Sequence, residues 1–201
     1  MSDMLSWANT NPEKTALFEA ASQRSITYAD LKKHALQLAA WFQKSGLVPG
    51  DGVAFLLDNQ IEMIEIGMGA RHAGLYYTAI GNHLTAEEVL YITQDSGAKV
   101  LFINSATIKN IESIIPTLKE EHKVTIQYIG AIDELANEQA TDIVSYQKTL
   151  EEQSHYQAIQ AAPLMGRDLL YSSGTTGRPK GIRKSLVIRT DPHQQDSEVA
   201  P

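Results

Sequence analysis

Residues 171–181 read Tyr171-Ser172-Ser173-Gly174-Thr175-Thr176-Gly177-Arg178-Pro179-Lys180-Gly181, a run in which hydroxyls, glycines and cations alternate. Three glycines let the backbone adopt φ > 0 and approach a ligand closely. Successive amide N–H groups in such a turn converge into an anion-binding concavity. The hydroxyls of Ser172, Ser173, Thr175 and Thr176 add donors for phosphate oxygens, and Thr176 can equally face a magnesium ion held on those oxygens. Lys180 supplies a mobile point charge and Arg178 a second cation, whose direction the sequence leaves open. The chemistry that suits these residue types is holding a polyphosphate.

The charge distribution agrees. The 201 residues carry a net charge of −7, and residues 1–165 hold 11 basic against 20 acidic side chains. Residues 166–190 instead hold Arg167, Arg178, Lys180, Arg183, Lys184 and Arg189 against Asp168 alone. A nucleic-acid binder spreads basic charge over a broad face interleaved with aromatics. A single short basic segment fits a small anionic ligand better, with no nucleic-acid partner expected.

Hydrophobic residues at 43% and charged residues at 20% are ordinary for a soluble globular chain of this length, one large domain or two small ones. The absence of cysteine excludes a disulfide framework, a thiol nucleophile and a Cys-ligated metal, and fits a reducing, cytoplasmic setting. The N-terminus shows neither the basic nor the apolar region of a signal peptide. The longest apolar runs, 38–42 and 53–57, are too short to span a bilayer, so no transmembrane segment is expected.

The elements that must position the loop follow from periodicity. Two β-prone runs, 15–19 and 24–27, read as a hairpin. Thr27, with Asp30 three residues on, starts a helix through Leu31, Ala35, Leu38, Ala39 and Phe42 that stops at Gly46. A turn at 49–51 leads to a buried strand at 53–57. Asn59 opens a second amphipathic helix through Ile61, Ile64 and Met68, ending near Gly74. A strand at 75–80, a Thr85–Glu88 capping box with its helix, and a strand at 99–103 follow. Ile108, Ile111, Ile115 and Leu118 mark one helix face, which Pro116 interrupts in its last turns. Strand 124–129, a helix around 146–152 and a short strand at 168–171 complete the reading. Strands separated by helices predict an α/β fold: βαβ units in a mostly parallel sheet with helices on both faces. Ligands in such folds sit beyond the carboxyl ends of the strands, where residues 171–181 fall. The expected division is an α/β subdomain at 1–165, the strand and phosphate loop at 166–190, and a polar tail at 191–201.

Gly/Ser/Thr/Pro runs are commonly solvated linkers, so the order of residues has to decide. A Walker A loop fails because Pro179 stands five residues after Gly174. A dinucleotide fingerprint fails because Gly67-Met68-Gly69 is followed by His72 where a third glycine belongs; it reads instead as close helix packing. What residues 171–181 resemble, position by position, is the phosphate-binding signature of the adenylate-forming superfamily: aromatic–Ser/Thr–Ser/Thr–Gly–Thr/Ser–Thr–Gly–x–Pro–Lys–Gly. Ile26-Thr27-Tyr28-Ala29-Asp30-Leu31, Gly50-Asp51-Gly52-Val53-Ala54 and the stretch from Arg71 to Ile80 resemble further segments of that superfamily. Leu84 through Leu101 is similar to the helix–strand step of acyl-CoA synthetases.

The resemblance implies a reaction in two halves. A carboxylate attacks the ATP α-phosphate to give an acyl-adenylate and pyrophosphate, and a thiol, often that of CoA, then takes the acyl group. It places Ser172, Ser173, Gly174, Thr175, Thr176 and Lys180 against the ATP phosphates. ATP, Mg2+ and CoA are the implied cosubstrates and ion, and the implied acid is a fatty or medium-chain carboxylic acid. Members of the superfamily are typically more than twice this length. Past the loop they carry a Tyr-Gly-x-Thr-Glu segment for adenine, a Thr-Gly-Asp motif for ribose and a catalytic lysine. None of these is in the sequence. The expectation is therefore the N-terminal part of an acid–CoA ligase, its catalytic residues beyond Pro201 and the fragment inactive alone. The alternative is a non-catalytic truncated module for nucleotide binding or interaction.

Other candidates carry less. The histidines at 34, 72, 83, 122, 155 and 193 have no metal-ligand spacing and read as surface or satisfied residues. Ser172 and Ser173 lack the Gly-x-Ser-x-Gly elbow of a hydrolase. Tyr76 and Tyr77 read as packed strand residues, Glu87-Glu88 as a helix N-terminus and Glu120-Glu121 as a solvated face.

Overall fold

The computed structural model describes residues 4–132, 135, 143–153, 161–172 and 178–189. The expected tail at 191–201 lies outside these residues. An antiparallel hairpin of β1 (Thr15–Glu19) and β2 (Arg24–Thr27) leads directly into α1 (Tyr28–Lys44). Thr27 ends the hairpin and caps the helix. Its Oγ1 accepts from the Asp30 N–H at 3.1 Å. The same hydroxyl donates to the Asp30 carboxylate at 2.9 Å, so the reciprocal bond closes on the hydroxyl rather than on the cap's backbone.

Next come β3 (Gly52–Leu56), α2 (Ile61–Ala73), β4 (Tyr76–Ile80), α3 (Ala86–Asp95) and β5 (Ala98–Asn104). α4 (Ile108–Ile111) and α5 (Ile115–Glu120) are separated by a 3-10 turn at Glu112–Ile114. The single helix face expected at 108–118 is broken there because Pro116 has no N–H to continue it; the proline sits instead in the first turn of α5. β6 (Thr125–Ile129), β7 (Val144–Ser145) and α6 (Tyr146–Glu152) follow.

The sheet order is β7-β6-β5-β3-β4-β9, with β9 (Arg167–Asp168) on the far side of β4 and every pairing parallel. β3 is central and all five of its residues are buried, because helices cover both sheet faces. Successive side chains then sort by the two-residue strand period. Val53, Phe55, Val100 and Phe102 pack with Leu38 and Phe42 of α1, Ile66 of α2 and Tyr146 of α6. Ala54, Leu56, Leu101 and Ile103 pack with Val89 and Ile92 of α3 and Ile108 of α4. Phe102 meets Phe42 and Tyr146 edge-on, each at 6.2 Å between centroids.

α2 departs from its expected pattern in two ways. Its buried face is Ile61, Glu62, Glu65, Ile66, Gly69, Ala70 and Ala73, while Ile64 is exposed. Two glutamates point inward because partners await them: Arg24 bonds Glu62 through Nη1 at 2.7 Å, and Tyr146 donates to Glu65 at 2.5 Å. Asn59 is not the cap either. The N-cap residue is Gln60, whose side chain makes no capping bond, and the carboxylate of Glu19 reaches across from β1 to accept the Ile61 N–H at 3.1 Å. A hairpin carboxylate thus does the work that local sequence assigned to an Asx cap. At the other end Gly74 stops the helix at φ +77°. The expectation that Gly67-Met68-Gly69 serves close packing holds at Gly69, where a Cβ would stand 2.8 Å from Leu38 Cβ and 2.9 Å from the Ala35 carbonyl.

β8 (Leu164–Met165) pairs antiparallel with β12 (Val187–Ile188), and β10 (Leu170–Ser172) with β11 (Lys180–Ile182). Among the described residues no helix is long and apolar enough to cross a membrane.

Candidate functional site

The strand expected at 168–171 divides into two. β9 extends the parallel sheet alongside β4, and Leu169, 2% exposed, anchors the change of direction by donating its N–H to the Tyr77 carbonyl at 2.9 Å. β10 then leaves the sheet and pairs with β11, placing Leu170 opposite Ile182, Tyr171 opposite Gly181 and Ser172 opposite Lys180. Two of the six residues assigned to phosphate, Ser172 and Lys180, therefore stand across from each other at the mouth of the connection at 173–179. Both are exposed and accessible to a ligand. The other four, Ser173, Gly174, Thr175 and Thr176, lie outside the described residues.

The β10–β11 ribbon is tied to the body through polar contacts. Tyr171 donates its hydroxyl to Asp95 Oδ2 at 2.6 Å, at the end of α3. Burial, and then this bond to a carboxylate, push the Tyr171 hydroxyl far above its ordinary pKa, so it remains a protonated donor. The Arg178 guanidinium lies 5.4 Å over the Tyr91 ring, and that of Arg183 lies 4.5 Å over Tyr76. Arg183 also donates to the Ser96 carbonyl at 3.0 Å, and Tyr76 donates to the Lys184 carbonyl at 2.9 Å. Tyr76 is thus packed in its strand as expected, and its polar tip also holds the ribbon.

A cavity of about 300 Å³ opens between the ribbon and the carboxyl end of β4, lined by Gly81, His83, Glu88, Tyr171, Ser172 and Arg178, among others. It lies where α/β folds place ligands, beyond the strand ends. Arg178, Lys180, Arg183 and Lys184 are all exposed. Arg178 and Lys180 stand at the loop's mouth, whereas Arg183 and Lys184 lie beside Tyr76, the first residue of β4, at the opposite end of the ribbon. Asp95 and Tyr91 escaped the sequence reading. Asp95 lies 76 residues from Tyr171 in the chain, and no local pattern connects them. His83 read as a surface residue; its ring lies against Gly81 beside the cavity.

Elsewhere His34 Nδ1 lies 2.5 Å from Glu65 and His122 Nε2 lies 2.6 Å from Gln94 Nε2, so both histidines have partners. His155 and His193 lie outside the described residues. Among the described residues no group of three His, Asp or Glu side chains could hold a metal ion.

Comparison with known proteins agrees with the fold. The 3-hydroxybenzoate–CoA/4-hydroxybenzoate–CoA ligase of Thauera aromatica is 30% identical over 180 residues, covering 88% of this chain and 33% of that protein. The long-chain-fatty-acid–CoA ligase FadD13 of Mycobacterium tuberculosis is 29% identical over 175 residues, covering 87% of this chain and 32% of that protein. The crystal structure of the anthranilate CoA ligase AuaEII in complex with anthranoyl-AMP superposes with a TM-score of 0.72 at 27% identity, covering 90% of this chain and 33% of that one. The chain spans about a third of the length of the curated relatives it matches. Residues 5–185 match the family described as AMP-binding enzyme. That span runs from the first hairpin through the β10–β11 ribbon and takes in every element that positions the loop; the chain belongs to the AMP-binding enzyme family.

Proposed function

We propose that the chain forms the polyphosphate-holding part of an ATP-dependent acid–CoA ligase, which makes an acyl-adenylate and then an acyl-CoA thioester. The observation that carries this reading is the ribbon: Ser172 and Lys180, the first and last phosphate residues of the signature, face each other across a ladder at the carboxyl edge of the sheet. The ladder fixes where the two ends of the loop, Ser172 and Lys180, stand relative to each other before phosphate arrives. Ser172, Ser173, Gly174, Thr175, Thr176 and Lys180 are assigned to the β- and γ-phosphates, which they neutralise and hold in line while a carboxylate attacks the α-phosphate. Thr176 is the hydroxyl that would serve Mg2+, which would supply further neutralisation of the phosphate charge. CoA is the acyl acceptor of this reading.

The acid is proposed at the level the relatives share. Their names cover hydroxybenzoates and long-chain fatty acids, so an organic carboxylic acid is the substrate class. The division into a supporting body at 1–165 and a phosphate-binding segment at 166–190 belongs to the same reading, as does a cytoplasmic setting, which rests on the absence of cysteine. Adenine, ribose and catalytic-lysine motifs are not in the sequence. The 201 residues alone are therefore expected to bind phosphate without carrying out acid-dependent ATP–pyrophosphate exchange.

Calorimetric titration of the purified chain with Mg-ATP and with inorganic tripolyphosphate tests this. Both should bind, and Lys180→Ala and Thr176→Ala should each weaken binding about tenfold, as expected for removing a donor to a charged oxygen. Equal affinity in the variants would remove these residues from the site. Substantial pyrophosphate exchange by the wild-type chain would show that the missing motifs are not required.

A further inference from the structure

Three candidates stand out beyond the signature. An apolar groove between β1 and α2 exposes Phe18 and Ile64, but nothing in the structure says what would cover it. The cluster of Glu62, Glu65, His34 and Tyr146 is satisfied internally. The third, the contact between α3 and the ribbon, carries an inference.

We propose that Asp95, with Tyr91 one turn earlier on α3, is a positioning residue for the phosphate loop: it sets where the loop's two ends stand and thereby its affinity for terminal phosphates. The inference rests on the phosphate-binding reading above. Tyr171 immediately precedes Ser172, where the loop begins, and its hydroxyl is held by Asp95. Arg178 lies two residues before Lys180, where the loop ends, and its guanidinium lies over Tyr91. One helix therefore grips both arms of the loop.

Gly181 completes the arrangement. A Cβ there would stand 3.0 Å from the ζ carbon of Tyr171 and 3.3 Å from Asp95 Oδ2, so the tyrosine ring lies directly across the glycine. The invading atom would push Tyr171 off Asp95. The grip has a firm base, because Ile92 and Thr93 on α3 and Ser96 just after it are buried, and the Thr93 hydroxyl bonds the Val89 carbonyl at 2.8 Å. The ribbon itself has only three residue pairs, and a two-stranded ribbon of that length is marginal in water by itself. Its placement therefore depends on these side-chain tethers. Because Asp95 is exposed, its bond adds little to global stability. Loss of the tether should therefore appear in phosphate binding and not in folding.

The test is titration of inorganic tripolyphosphate into the 201-residue chain, alongside urea unfolding. Asp95→Ala and Tyr171→Phe should each weaken binding about fivefold, the scale of one charged hydrogen bond discounted for exposure. The double variant should be no weaker than either single. Asp95→Asn, whose carbonyl oxygen accepts from the same hydroxyl, should recover most of the affinity, and urea midpoints should stay unchanged. Wild-type affinity in Asp95→Ala, additive losses in the double variant, or Asn no better than Ala would each overturn the inference. If Asp95→Ala does not fold, Tyr171→Phe and Asp95→Asn decide the matter in the same way. A wild-type chain that does not bind tripolyphosphate overturns the phosphate reading and this inference together. Wild-type binding with unaffected variants overturns this inference alone.

Discussion

Two carboxylates in this molecule accept a tyrosine hydroxyl at nearly the same distance, and their settings are opposite. Glu65, 2% exposed, accepts the hydrogen bond of the fully buried Tyr146 hydroxyl at 2.5 Å and lies 2.5 Å from His34 Nδ1. Asp95 accepts the hydrogen bond of the Tyr171 hydroxyl at 2.6 Å on the surface. The first bond joins α2 to α6 inside the layer that covers one sheet face. The second joins α3 to a ribbon that leaves the sheet. Burial, then the neighbouring Glu65 carboxylate, drives the Tyr146 hydroxyl well above its ordinary pKa; burial, then the bond to Asp95, raises that of Tyr171. Water decides the difference in what each bond is worth. An unmade bond in the interior leaves polar groups with no other partner, whereas at the surface solvent replaces the lost acceptor.

The largest expected effect follows directly. Glu65→Ala leaves Tyr146 without its acceptor inside the core, and should cost about 3 kcal/mol in urea unfolding. Tripolyphosphate affinity should be unchanged, since none of these groups approaches the ribbon. Asp95→Ala should show the reverse profile. If both variants lost stability alike, burial would not be what separates the two sites.

A pair of glycines sharpens the same contrast at smaller scale. A Cβ at Gly69 would meet Leu38 and the Ala35 carbonyl, neither able to retreat because α1 and α2 are pressed together over the sheet. Gly69→Ala should therefore cost about 2 kcal/mol, in the range of overpacked interiors. At Gly181 the Cβ would meet the Tyr171 ring, which can swing into solvent. Gly181→Ala should then leave the urea midpoint near wild type while weakening tripolyphosphate binding as Tyr171→Phe does. A large loss of stability at Gly181 would mean that the ribbon is part of the core.

What could be read from sequence differs between the regions for the same reason. The hairpin, α1, the Thr85–Glu88 capping box and the strand alternation were legible because they rest on contacts within a few residues or on a simple period. α2 was misread because its inward face carries Glu62 and Glu65, and their partners Arg24, His34 and Tyr146 lie 31 to 81 residues away. Its cap was missed because Glu19 reaches Ile61 across 42 residues. The loop's signature could be read because its residues run consecutively from Tyr171 to Gly181. What holds the loop could not, since Asp95 is one exposed aspartate at a helix end and becomes distinctive only when Tyr171 is folded against it.

The smallest expected effect concerns acid, and it has one carboxylate in each region. Burial works to raise the pKa of Glu19, but bonds from Ser22, Arg24 and the Ile61 N–H outweigh it and hold the carboxylate below its ordinary value. Glu88, beside the cavity, is lowered by the Thr85 N–H and then by the Thr85 hydroxyl. In both cases the unfolded chain takes up a proton first as pH falls. The stability each provides is complete above the ordinary carboxylate pKa, about 4.3, and is lost as pH falls from there through the lower folded value. Urea midpoints measured from pH 7 to pH 3 should fall for the wild type and fall less steeply for Glu19→Gln and for Glu88→Gln. The two flattenings should add, because one carboxylate caps α2 and the other caps α3 on the opposite face of the sheet. A Glu19→Gln curve parallel to wild type would mean that the Ile61 N–H finds another acceptor, and that the hairpin does not cap α2 in solution.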